Sequence, residues 1–463
     1  MNFKLFDKEI YKNRRAVLRK NVGDGIILLL GNEESSMNYK DNWYHFRQDS
    51  TFLYYFGLDV PGLAAIIDTA TGEEIIFGNE LTIDDIVWTG PLPTLKEMAL
   101  EVNVINTKPY GALENYISVN LSNRIHFNPP YRPENKIKLS ELFGLPISRI
   151  LERKSVELIQ AIVKQRSYKE DCEIAEMEKA VLISVNMHLA AMKATKPHAK
   201  EYEIVAKVKE VAMAANAGIA YGVILTTQGQ TLHTHYHGNT MLAGQMILCD
   251  AGAENDMHYA GDLTSTFPVG TKFTERQQKI YAIVLNAHET AVAMLKPGIL
   301  FRDIYLKACE TLVEGLIEVN LMKGDPKKAV ESGAHAMFFQ CGLGHMIGLD
   351  VHDMEDLGEE YVGYTDTIKK STQFGMKSLR LGRELEAGFT LTVEPGIYFI
   401  PELIDRWRAE NKCIEYINYE MLDTYRDFTG IRVEENFLIT HNGYRLLGKS
   451  LPKTIQELED IRA

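Results

Sequence analysis

Apolar runs and their periods divide the 463-residue chain into two stretches of different character. In the first, residues 26–30, an unbroken apolar run between Gly25 and Gly31, read as a covered strand. Residues 63–68 and 74–77, separated by Thr71-Gly72, read as a strand pair. The aromatic segment 46–57, FRQDSTFLYYFG, is expected to be a packed core edge, with a binding surface as the alternative. The charged segment 149–167 is expected to link two domains. From Lys169 a helical period takes over: Ile174, Met177, Val181, Val185 and Leu189 mark one face, and Ile204, Val208 and Val211 mark a second helix. A third helix opens on Thr274-Glu275-Arg276-Gln277, a capping-box pattern, runs through Ile280, Ile283, Val284 and Ala287, and stops at Pro297-Gly298.

A chain of 463 residues is long for one core, and two domains are expected, 1–160 and 161–463. With 50 Lys+Arg against 63 Asp+Glu the net charge is -13, which argues against a nucleic-acid or anionic-membrane partner. Cys172, Cys249, Cys309, Cys341 and Cys413 lie far apart with no CxxC, so neither a zinc ribbon nor a disulfide framework is indicated. A reducing cytoplasm fits that usage best. The opening MNFKLFDKEIYKNRR has no apolar stretch of signal-peptide length, and no later run is long enough to span a bilayer; neither secretion nor membrane insertion is expected.

The candidate chemistry gathers in the second stretch. The apolar run 246–249 ends on Asp250, and residues 259–264 are expected to resume as a second strand after an Asn255-Asp256 turn, bringing Asp250 and Asp262 together across a hairpin. Adjacent anions repel unless a proton or a cation lies between them, and hard divalent ions such as Mn²⁺ or Mg²⁺ favour oxygen ligands. The plainer alternative is one capping and one turn aspartate. In THTHYH, His233, His235 and His237 fall on one face of an extended segment, a pattern seldom needed for packing. Zinc held by these three alone is a rival, but adjacent same-face positions match a tetrahedral shell poorly. His188 and His288 sit in helices without a partner at ligand spacing and are expected to be structural. Residues 341–353, CGLGHMIGLDVHD, hold His345 and His352 among glycines that let backbone pass close to a ligand. Glu394 ends an apolar strand before Pro-Gly, and alternation puts Arg432 and Glu434 on one face and sends Glu435 to the other, solvated or structural. Asp250, Asp262, His345, Glu394 and Glu434 are enough to bind two divalent ions about 3.5–4 Å apart.

These motifs, in this order, resemble the Xaa-Pro aminopeptidase (aminopeptidase P) and prolidase family of proline-specific, "pita-bread" metallopeptidases. The likeness rests on FRQDSTFLYYFGLDVPG in the N-terminal half and on DAG…YAGDLTSTFPV, GLGHMIGLDVHD, LTVEPGIY and GIRVEEN in the C-terminal half. It implies an α+β protein, with a creatinase-like N-terminal α/β domain followed by a pita-bread catalytic domain. It also implies that Asp250, Asp262, His345, Glu394 and Glu434 hold two metal ions, typically manganese, with Glu394 doubling as proton shuttle. His352 matches a histidine that contacts substrate or transition state, and Arg432 an arginine that orients the acidic cluster. The family's histidine before the first aspartate is His233 by spacing and His235 by the local HYHGN pattern, and both stand. The implied substrate is a peptide with proline at its second position, and the implied assembly a dimer or tetramer.

Three departures stand out. Asp250 and Asp262 are twelve apart where the family usually has eleven, and the extra residue is placed in the Asn255-Asp256-Met257 turn. Cys341 replaces a histidine of the HGxxH pattern, which bears on substrate contacts more than on metal. Ser265 stands where many relatives carry arginine. Within the peptidases the alternative is an Xaa-Pro dipeptidase, which requires a cationic group for the substrate's free carboxylate. Outside them it is a creatinase-like hydrolase or a binding protein that has lost its metals. The insertion 401–430, with Trp407, Tyr416, Tyr419 and Tyr425, is expected to be a surface elaboration, with a substrate mouth or oligomer contact as alternatives.

Overall fold

The computed structural model describes residues 4–463. The chain forms two compact units: one runs to Arg166 and includes Met354–Tyr361, and the other comprises Ser167–Asp353 and Val362–Ala463.

The first unit is built on a mixed five-stranded sheet of β1 (Ile26–Leu30), β2 (Ala64–Asp68), β3 (Glu74–Phe77), β4 (Asn106–Lys108) and β5 (Ile125–His126), in the order β4-β3-β2-β1-β5. The first strand and the β2/β3 pair lie where the apolar runs place them, β2 and β3 pairing antiparallel. Ile26, Leu28, Ile66, Ile75 and Phe77 pack into one core with Leu113, Ile117, Leu139 and Leu142 from the flanking helices. The aromatic segment is a packed core edge. Residues Ser50–Phe56 form a fully buried helix, capped by Asp49, whose Oδ1 accepts from Phe52 N at 2.8 Å. Its embedded polar residues serve the backbone: Gln48 Oε1 accepts from Asn32 N at 2.6 Å, and Gln48 Nε2 donates to Val60 O at 2.8 Å.

The segment 149–167 is not a free linker. Most of it is the helix Val156–Arg166, which packs on the helix Lys8–Val22 and buries Leu158, Ile159, Ile162 and Val163. Its charge misleads because Glu157 and Lys164 lie on the exposed face of an amphipathic helix.

The second unit backs antiparallel strands with helices. Asp171–Ala194 packs on Glu201–Ala214, and Glu275–Ala293 packs on Phe301–Glu318. Glu275–Ala293 opens on the expected capping box, Thr274 Oγ1 accepting from Gln277 N and Gln277 Oε1 from Thr274 N. Two small strands, β6 (Gly218–Ile219) and β9 (Ala253–Glu254), pair beside a sheet of β7 (Ile224–Thr226), β8 (Met246–Asp250) and β10 (Thr264–Pro268), ordered β10-β8-β7. The C-terminal strands are β11 (Thr390–Val393), β12 (Gly396–Tyr398), β13 (Gly430–Arg432), β14 (Glu435–Thr440) and β15 (Gly443–Leu446). β12 pairs with β13, and β11, β14 and β15 form the order β11-β14-β15. Single bridges Thr264↔Glu434 and Met346↔Leu391 join the segments further.

Residues 259–263 do not continue the second strand as expected; β10 begins only at Thr264, opposite Asp250. The reason is a pinch between backbones: a Cβ on Gly252 would lie 1.8 Å from Gly261 O. The stretch still bonds across the hairpin, Gly261 N to Ala253 O at 2.9 Å and Ala251 N to Leu263 O at 3.1 Å, and is tied outward by Ala260 N to Gly348 O at 2.9 Å and Asp262 N to Asn436 Oδ1 at 3.0 Å.

The insertion 401–430 packs on itself and its neighbours. Trp407 is buried against Phe374 with Lys412 Nζ 3.9 Å above its ring, and Tyr425 stacks on Phe399 at 5.1 Å.

Candidate active site

Four of the candidate residues stand at or beside the end of a strand. Asp250 ends β8, Glu394 follows β11, and Arg432 and Glu434 flank the break between β13 and β14. Carboxylates on short apolar strands can be held in a buried place because the ladder hydrogen bonds satisfy the backbone around them.

The five side chains converge. His345 Nε2 lies 3.3 Å from Asp262 Oδ2 and 3.6 Å from Glu394 Oε1. Ligand atoms of Asp262, His345 and Glu434 lie within 4.8 Å of one another. Asp250 joins through Tyr221, whose Oη is 2.6 Å from Asp250 Oδ1 and 2.5 Å from Asp262 Oδ1. Both carboxylates reach the same phenol, with a turn at Asp256-Met257 between them in the chain.

Partners around the cluster fix its members. His345 Nδ1 donates to Met346 O at 2.9 Å, which leaves Nε2 to face the carboxylates. Arg432 bonds through Nη2 to Asp250 Oδ2, through Nε to Thr264 Oγ1 at 3.1 Å and through Nη1 to Tyr398 Oη at 2.9 Å. Glu434 Oε2 accepts from Thr264 Oγ1 at 2.7 Å. Behind them His188 Nδ1 meets Ser265 Oγ at 2.7 Å and Nε2 donates to Ala251 O at 3.0 Å, pinning β8 and β10 from the helix Asp171–Ala194. Ser265 therefore has a partner of its own. Tyr221 and Tyr398 are parts of the site that the sequence does not mark, a tyrosine between Ala220 and Gly222 carrying no pattern, whereas His188 is structural, as expected.

The other histidines divide. His233 and His235 both line the cavity, whereas His237 turns away and donates from Nε2 to Val223 O at 3.0 Å. The expectation of three imidazoles on one strand face fails because residues 231–239 form a turn followed by irregular chain, so the period of two does not apply. His352 lines the cavity and meets the His345 ring edge-on, centroids 4.3 Å apart. Glu435 is buried, not solvated: Ser450 Oγ donates to its Oε1 at 2.9 Å, Lys453 Nζ bonds to Oε2, and His288 Nε2 lies 3.9 Å away. Cys341 also lines the cavity, its thiol pushed up to about 12 by burial, with Glu394 adding to the shift. The cavity holds about 630 Å³, and Arg380 and Gln340 stand in its wall. No residue of the insertion 401–429 lines it.

Electrostatically the cluster is overcharged. Burial pushes Glu394 up to about 7, with Asp262 and Asp250 adding to the shift and His345 and Arg432 opposing it. Glu434 is driven well above the carboxylate range by burial and then by Asp262 and Glu394. Asp250 is raised by burial against the pull of Arg432. At Asp262 burial is the largest single influence, but the hydrogen bond and charge of His345, the Tyr221 hydrogen bond and His352 together outweigh it, and its carboxyl is lowered. Four carboxylates packed this closely cannot all carry charge unless protons or cations compensate. Oxygen donors with one imidazole, converging on one cavity wall, suit hard divalent ions. The residues fit such ions.

Comparison with known proteins agrees. The model of metallopeptidase family M24 matches residues 175–441. The chain belongs to metallopeptidase family M24. Residues 11–126 of this M24 chain match the aminopeptidase P N-terminal domain. It is 31% identical over 460 residues to human Xaa-Pro dipeptidase, covering 96% of this chain and 91% of that one. It is 32% identical over 463 residues to a probable Xaa-Pro aminopeptidase of Aspergillus niger, covering 96% and 95%. Among solved structures, Pseudomonas aeruginosa aminopeptidase PepP superposes with a TM-score of 0.81 at 25% identity, covering 100% of this chain and 99% of that one. Proline aminopeptidase P II of Yersinia pestis does so with 0.80 at 27%, covering 99% of both. This M24 protein is thus a metal-dependent hydrolase with an aminopeptidase P N-terminal domain and a pita-bread catalytic domain. Among the described residues no helix is long and apolar enough to cross a membrane.

Proposed function

We propose that this M24 metallopeptidase is a manganese-dependent Xaa-Pro aminopeptidase, releasing the N-terminal residue from peptides with proline second. The observation that carries the reading is the convergence of Asp250, Asp262, His345, Glu394 and Glu434 on one cavity, beside His352. The names of the relatives support the proline preference.

In this reading Asp250, Asp262, His345, Glu394 and Glu434 hold two divalent ions. When bound, such ions would supply the charge that makes a water nucleophilic near neutral pH and polarises the scissile carbonyl. Glu394 is the proton carrier; its side chain is 20% exposed against 7% for Asp262, so it opens furthest towards the cavity. It takes the water's proton and gives it to the proline nitrogen as that nitrogen leaves. His352 and one of His233 or His235 donate hydrogen bonds to the tetrahedral oxyanion. Arg432 opposes the protonation of Asp250 and aims its carboxylate.

The dipeptidase reading has one observation in its favour. Arg380 brings a guanidinium into the cavity wall, where it would suit the free carboxylate of an Xaa-Pro dipeptide. The deciding experiment assays metal-stripped protein, with and without Mn²⁺, on Ala-Pro and Ala-Pro-Ala. Mn²⁺-dependent cleavage of the tripeptide supports the aminopeptidase, and cleavage confined to Ala-Pro supports the dipeptidase. Failure on both by protein that binds two ions per chain would overturn proline specificity.

A further inference from the structure

Lys169 and Asp353 form an ion pair, Nζ to Oδ2 at 2.7 Å, with both side chains 1% exposed. Burying two charges gains little stability over a well-packed apolar pair, because desolvation cancels most of the attraction. What such a pair does impose is one arrangement of the backbones that carry it.

Those backbones lead to the candidate active site from three sides. Asp353 directly follows His352, and its N–H donates to Met346 O at 2.9 Å, the same carbonyl that accepts from His345 Nδ1. Asp353 Oδ1 accepts from Asp350 N at 3.4 Å. Gly348 passes so close that a Cβ there would lie 2.7 Å from Asp353 Oδ2 and 2.9 Å from Lys169 Cε, and Gly348 O accepts from Ala260 N, two residues before Asp262. Lys169 N in turn donates to Gly388 O at 2.9 Å, just ahead of the strand that delivers Glu394. The loop between His345 and His352 is therefore closed over the buried pair.

We propose that Lys169 and Asp353 are positioning residues for peptide-bond cleavage. Their ion pair fixes the 345–353 loop so that the His345 and His352 rings keep their edge-on arrangement at the cavity. The proposal rests on the peptidase reading above.

The test uses the full chain with Lys169→Met and Asp353→Asn together, which removes both charges and keeps an acceptor for Asp350 N. Three quantities are read: Tm, kcat and KM with Mn²⁺, and the rate at which diethyl pyrocarbonate modifies His352 in metal-stripped protein, followed by peptide mass. The expected result is a near-native Tm, KM within about threefold, kcat lowered about 10–100-fold as for other residues that orient ligands, and faster modification of His352. Native kcat together with native His352 reactivity would overturn the proposal and leave the pair a packing feature. If the double variant does not fold, Lys169→Arg is read instead: lowered kcat at native Tm supports the proposal, and native kcat overturns it. Should the wild type cleave neither peptide, the peptidase reading fails by itself, while the His352 modification rate still decides the role of the pair.

Discussion

The phenol oxygen of Tyr221 lies 2.5 Å from Oδ1 of Asp262, and the same oxygen is 2.6 Å from Oδ1 of Asp250. One phenol hydrogen thus serves two carboxylates. Burial and the two aspartates hold the phenol far above its ordinary pKa, so it stays a donor. Tyr221→Phe is expected to leave the fold intact and to weaken divalent-ion binding about 10–100-fold, by loss of the group that aligns both aspartates. Calorimetric titration of metal-stripped protein with Mn²⁺ checks this; an unchanged affinity would show the phenol to be a bystander.

Metal removal should cost stability as well as activity. The buried Glu434, Glu394 and Asp250 side chains are all pushed towards protonation by burial and mutual repulsion, and divalent ions relieve both. At free Mn²⁺ about a hundredfold above Kd, linkage adds about 2.7 kcal/mol. For a unit of this size that corresponds to a rise of about 4–5 °C in Tm. Scanning calorimetry with chelator and with Mn²⁺ measures the difference, and coincident melting curves would contradict ion binding by the folded cluster.

Acid should destabilise the metal-free protein through histidines outside the cluster. Burial holds His335 down at about 4 and His288 at about 3. Both folded values lie below the unfolded value of about 6.5, so above that pH neither state takes up a proton and the full stability is present. As pH falls from about 6.5 towards those folded values, the unfolded chain alone protonates, and each histidine withdraws about 1.4 kcal/mol per pH unit. His335→Gln, which can keep a contact to Tyr305 Oη, is expected to flatten the slope of urea stability between pH 6 and 4.5 by one proton. A parallel pair of curves would place the acid sensitivity elsewhere.

Cys341 gives the cavity a chemical handle in its wall. With its thiol pushed up to about 12, it should react slowly with methyl methanethiosulfonate at pH 7 and about tenfold faster per pH unit above that. Inactivation that Cys341→Ser abolishes and bound peptide slows is the expected outcome. Equal inactivation of the serine variant would assign the effect to another cysteine.

Much of this protein was legible before any tertiary contact was known. A carboxylate ending an apolar run, as Asp250 and Glu394 do, is anomalous enough to mark itself, because burial of charge demands a compensating partner. The runs at Ile26–Leu30 and Glu74–Phe77 and the capping box at Thr274 are likewise local signals, each carried by a few consecutive residues. Charge without register was misleading: Glu157 and Lys164 read as linker although the alternate face of their helix is core. So was period without conformation, since His237 leaves its neighbours once the chain at 231–239 is irregular.

Only tertiary closure decided the rest. Tyr221 becomes part of the site by reaching residues 29 and 41 positions away, and Lys169 meets Asp353 across 184. Hydrophobic patterning records which face of an element is covered, and local propensity where it stops. Neither records which distant polar atom will satisfy a buried donor, because that choice is made by the packing of whole elements, where each unpaired group costs about 1–3 kcal/mol.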